Sequence, residues 1–124
     1  MKESFEYLVL SGGIISILVA AFHFAFWFLF KWKESLAPLS QLNNNIMLML
    51  NYCLAAFFLL AGIILIIYRQ EMISTRIGHA FLFLMGSVLA VRLILEFALP
   101  GSSLLMEGFL LILIAMFYIP LILS

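Results

Sequence analysis

Four apolar stretches constrain this chain more than any motif in it, because each is about 20 residues long, the length that spans a bilayer as a helix. They run from about Leu8 to Phe30, Ile46 to Tyr68, Ile77 to Leu99 and Leu104 to Leu123. A soluble core has no use for so much apolar chain. Of the 124 residues, 67% are hydrophobic and 10% charged, and the mean hydropathy is +1.28, far outside the range of soluble domains. The fold expected is all-α: a polytopic membrane protein of four transmembrane helices in an up-down antiparallel bundle, since the connections are too short to let neighbouring helices run parallel. The length, residues 1–124, suits one domain.

Local signals place the ends of the segments. Glu3 and Glu6 precede the first stretch, which is too long for a cleavable signal peptide and is expected to stay. Asn43 to Asn45 suit a turn or cap before the second, and Ser74 and Thr75 suit a cap before the third. Pro100-Gly101-Ser102-Ser103 breaks the chain before the fourth. Trp27, Trp32, Tyr7, Tyr68 and Tyr118 fall near segment ends, where amphipathic rings settle at the membrane surface.

Orientation rests on basic residues. Lys2, Arg69 and Arg76 lie on the side of both termini and the middle loop; Lys31 and Lys33 lie opposite, joined by Arg92 if its side chain snorkels outward. The balance favours cytoplasmic termini in a cell (inner) membrane, and it is close enough to a tie to permit dual insertion as an antiparallel dimer.

Polar residues inside the spans are the candidate site. Measured from segment midpoints at about 1.5 Å per residue, His23 and Arg92 lie about 6 Å, and Asn51 about 9 Å, towards the side of the first and third loops. Glu96 and Glu107 lie in the same half, nearer its surface. On the first helix, His23 shares a seam of small residues with Gly12, Ser16 and Ala20; on the second, Asn51 shares a stripe with Ala55 and Gly62. Such seams face neighbouring helices. Ionisable groups within a span are costly and tend to mark sites or pathways.

Each residue also has a plainer reading. Arg92 and Glu96, four apart, can form an intrahelical pair at headgroup level. Glu107 in a first helical turn is favoured by the helix dipole. His23 and Asn51 can be interhelical hydrogen-bonding glue.

Other chemistries are excluded or unsupported. Net charge is zero, so nucleic acid is not an expected partner; membrane lipids are. The single cysteine, Cys53, cannot form a bridge within the chain. His23 and His79 differ in depth by about 20 Å, too far for one haem within a monomer. No HxxxH, HExxH or CxxC spacing marks a metal site, no motif surrounds Ser11, Ser16 or Ser87, and Gly12-Gly13 lies in a helix, not a phosphate loop. No cofactor and no metal are expected.

In size and helix count the chain is similar to the small multidrug transporters and the small fluoride channels. The resemblance ends at architecture: His23 stands where the transporters present an embedded glutamate, and the channels' motifs do not surround Arg92 or the asparagines. A shared architecture does not carry function.

Three readings stay open. The first is a polar cavity formed by His23, Asn51, Arg92, Glu96 and Glu107 that binds or passes a small polar, ionic or lipid-like ligand. Arg92 would hold an anionic group and Glu96 or Glu107 would balance it, while Asn51 would orient the ligand. Histidine ordinarily titrates near neutrality, which makes His23 the proton-coupling candidate. Four helices enclose little volume, so a transport pathway would need a homodimer or larger assembly. The second is a structural or accessory membrane subunit. The third, an enzyme acting on a lipid or quinone with His23 as base, is the least supported.

Overall fold

The computed structural model describes residues 2–101 and 103–124. The chain is all-helical, with no strand among the described residues: α1 (Lys2–Phe24), α2 (Phe26–Leu29), α3 (Trp32–Ser35), α4 (Gln41–Ile67), α5 (Arg69–Ser74), α6 (Arg76–Ala98) and α7 (Leu104–Leu123). Four of these, α1, α4, α6 and α7, are long and apolar enough to cross a membrane. Only 22 to 33% of each apolar span is buried. Side chains such as Phe28, Ile77, Leu104 and Leu105, at 80 to 87% exposure, suit hydrocarbon and not water. The chain is a multi-pass membrane protein.

The first span differs from expectation. It begins at Lys2 and stops at Phe24, not Phe30, and the continuation is the short α2 after Ala25. The aromatic run Phe22, Phe24, Phe26, Phe28 and Phe30 does not extend the α-helix; Phe22, Phe26 and Phe30 pack edge to face on one another, and Trp32 closes on Phe26. Lys31 then takes a left-handed conformation (φ 50°), which turns the chain into α3. Asn43 to Asn45 lie inside α4, not at a cap. Ser40 is the capping residue, its Oγ accepting from the Asn43 amide at 3.2 Å, which starts the helix earlier than the apolar pattern does. The cap expected at Thr75 is present, its hydroxyl accepting from the Gly78 amide at 3.0 Å. The break expected over Pro100 to Ser103 includes Ser102, which lies outside the described residues.

The chain packs as two compact units whose boundaries fall within α1 and α4. In the unit Gly13–Ile64 the later part of α1 runs antiparallel to α4: Gly62 faces Gly13 and Ile17 at one end, and Phe24 stacks on Tyr52 at the other, ring centroids 6.2 Å apart. A Cβ on Gly62 would lie 2.7 Å from the Gly13 carbonyl oxygen, so only glycine allows this approach of two backbones.

The other unit contains the start of α1 and everything from Leu65 onward. Here α6 and α7 run antiparallel, with Gly86 beneath the Tyr118 ring and Ser87 Oγ 2.9 Å from the Tyr118 hydroxyl. Phe117, fully buried, fills the space above Gly12. The short α5 turns the chain between α4 and α6, and His79 pins that turn: its Nε2 lies 3.1 Å from the Ile73 carbonyl and 3.1 Å from Ser124 Oγ. A carbonyl can only accept, so Nε2 carries the proton.

Candidate functional site

His23 and Asn51 meet within the Gly13–Ile64 unit. His23 is in the last turn of α1, where carbonyls run out of regular helical partners. Asn51 Nδ2 donates to the His23 carbonyl at 2.8 Å, and Asn51 Oδ1 lies 3.0 Å from His23 Nδ1. The first bond fixes the second. Because the carbonyl requires the NH2 group, the amide oxygen must face the ring, so Nδ1 carries a proton and it is Nε2 that holds the lone pair in the ring's uncharged form. The ring also packs on Phe26, centroids 4.3 Å apart. Asn51 is buried (8% exposed). The bond to Asn51 gives the His23 carbonyl a partner at the break that ends α1, and within a membrane-spanning chain an unpaired carbonyl is expensive.

Arg92 and Glu96 meet in the second unit. They lie four apart on α6, and Arg92 Nη1 donates to Glu96 Oε2 at 2.6 Å. Glu96 Oε1 accepts from the Ser103 amide at 3.1 Å. The carboxylate thus ties the end of α6 to the N-cap of α7, a second task not visible in the i,i+4 spacing. The Arg92 side chain is 47% exposed and that of Glu96 11%. Both line a pocket of about 260 Å³ completed by Leu95, Leu99, Pro100 and Gly101. A guanidinium offers five N–H donors and a carboxylate about four acceptor positions, so hydrogen-bonding capacity on both remains for a ligand.

Glu107 stands apart from this pocket. It lies in the first turn of α7, buried to 8% exposure, and its carboxylate makes no hydrogen bond or ion pair among the described residues. The expected residues therefore form two pairs and one single group. No cluster of three or more His, Cys, Asp or Glu placed to hold a metal occurs among the described residues. The sequence reading missed Ser103, whose amide anchors Glu96, and the pocket wall of Leu99, Pro100 and Gly101. A Pro-Gly break following a charged pair was the signal available for both.

No protein family, curated protein or solved structure matches the chain.

Proposed function

We propose that the chain is a non-catalytic membrane protein that holds a phosphate-bearing amphiphile at the Arg92 pocket. The observation that carries this reading is a half-exposed guanidinium, its orientation set by Glu96, in a pocket whose remaining side chains are Leu95, Leu99 and Pro100. A fixed charge with planar donors suits a phosphate, and Leu95, Leu99 and Pro100 suit acyl chain. Arg92 is six residues from the end of α6, about 9 Å along the axis. Its pairing with Glu96, one turn nearer that end, draws the charged head towards the surface where headgroups lie.

The test is retention of phospholipid by the purified chain, read by native mass spectrometry. Arg92→Ala should lower retention about tenfold, the scale of one charge-assisted contact, and Arg92→Lys should lie between. Equal retention by all three would end the proposal.

A second reading, an accessory subunit with helix-locking polar groups, draws on the reciprocal His23–Asn51 bonding. It requires a larger membrane protein to copurify stoichiometrically, and to be lost when Gly62 is enlarged.

A further inference from the structure

The geometry points to a zwitterionic headgroup with a primary ammonium, of the phosphoethanolamine kind, as the ligand of the Arg92 pocket; this rests on the amphiphile reading above and narrows it. Opposite charges line the same pocket: the Arg92 guanidinium and the Glu96 carboxylate. Their sum is zero. A purely anionic headgroup that approached Arg92 would meet the negative charge of Glu96 within the same small volume, which opposes its binding. A headgroup bearing its own ammonium two carbons from its phosphate turns that repulsion into attraction. The phosphate takes N–H donors that Arg92 does not give to Glu96, and the ammonium donates to lone pairs of Glu96 that neither Arg92 nor the Ser103 amide uses.

Glu96 is suited to this role because it does not move freely. It is held at both oxygens, and its side chain is 11% exposed against 47% for Arg92. A carboxylate held in this way acts as an oriented acceptor, and ammonium ions that carry hydrogens are favoured over those that carry none. A quaternary ammonium, fully methylated, has no N–H to donate. The occupant is a bilayer lipid and not a free phosphoester, because the rest of the wall is Leu95, Leu99, Pro100 and the backbone of Gly101.

The experiment exposes the purified chain in micelles to equimolar phosphatidylethanolamine, phosphatidylcholine and phosphatidylglycerol with matched acyl chains, and reads bound lipid by native mass spectrometry. Phosphatidylethanolamine should be retained about tenfold over phosphatidylcholine, with phosphatidylglycerol also below it. In Glu96→Gln, which keeps an oxygen for the Ser103 amide but removes the charge, the ethanolamine preference should vanish and phosphatidylglycerol should gain. A series on the unaltered protein, with the headgroup amine carrying none, one, two and three methyl groups, should show retention falling with each N–H removed. This arm does not depend on any variant folding.

Phosphatidylglycerol leading in the unaltered chain, with binding lost in Arg92→Ala, would overturn the zwitterion while leaving the phosphate reading intact. A flat methylation series, or an ethanolamine preference that survives Glu96→Gln, would likewise overturn it. Retention indifferent to Arg92→Ala would remove both.

Discussion

Asn51 grips His23 at two points, the backbone carbonyl at 2.8 Å and ring Nδ1 at 3.0 Å. The two contacts are unequal in what each residue can lose. Replacing His23 removes the ring's bond to Asn51 and its packing on Phe26, but the carbonyl belongs to the backbone and keeps its bond. Replacing Asn51 removes both hydrogen bonds and leaves the carbonyl without a partner. Asn51→Leu should therefore destabilise the chain by about 2 kcal/mol and His23→Ala by about 1 kcal/mol, measured by unfolding in micelles. The reverse order would mean that the ring's contacts to Asn51 and Phe26 together outweigh the bond to the carbonyl.

The same two bonds dictate a tautomer. Nitrogen NMR of histidine-labelled protein under conditions where His23 is neutral should show Nδ1 protonated and Nε2 bare, a pattern that Asn51→Leu should mix. His79 should show the opposite tautomer, since its Nε2 faces the Ile73 carbonyl. Identical tautomers at both positions would contradict the geometry.

The membrane class and the four spans were legible because apolar length is a direct consequence of bilayer thickness. The Gly62 stripe and the pairing of His23 with Asn51 were partly legible, since helical angle placed each on an inward face. The shift in the first span was not. Hydropathy treats Phe26 to Phe30 as it treats any apolar run, whereas the helix ends where aromatic rings cluster and an asparagine 28 residues away supplies a hydrogen bond to the His23 carbonyl. Arg92 and Glu96 were legible as a pair at i,i+4. The Ser103 amide that shares Glu96 was not, because a turn's backbone hydrogen bonds leave no mark in side-chain spacing.

Two helical glycines separate packing from propensity. A Cβ on Gly62 would meet the Gly13 carbonyl oxygen and Ile17 at 2.7 Å, and one of these is backbone that cannot swing aside. A Cβ on Gly108 would meet nothing within 4 Å. Gly62→Ala should cost about 1 to 3 kcal/mol through overpacking, while Gly108→Ala should be neutral or stabilising by up to about 1 kcal/mol through helix propensity. Equal effects in micelle unfolding would show that the close approach at Gly62 is not needed.

Glu96 differs from Arg92 in what depends on it. Removing Arg92 breaks one bond of the pair and leaves Glu96 on the Ser103 amide; removing the carboxylate releases Arg92 and that amide together. The Ser103 amide is therefore the discriminating probe. Its hydrogen exchange should quicken several-fold in Glu96→Ala and change little in Arg92→Ala, because an amide that loses its acceptor at the start of a helix turns to water. The lipid experiment has the opposite ranking, since Arg92 supplies the phosphate contact and Glu96 only its selectivity. One residue thus governs retention and the other the order of the turn between α6 and α7. Exchange at Ser103 that rises equally in both variants would mean that Glu96 holds the amide only while Arg92 holds Glu96. The pocket wall at Pro100 and Gly101 would then depend on the guanidinium as well.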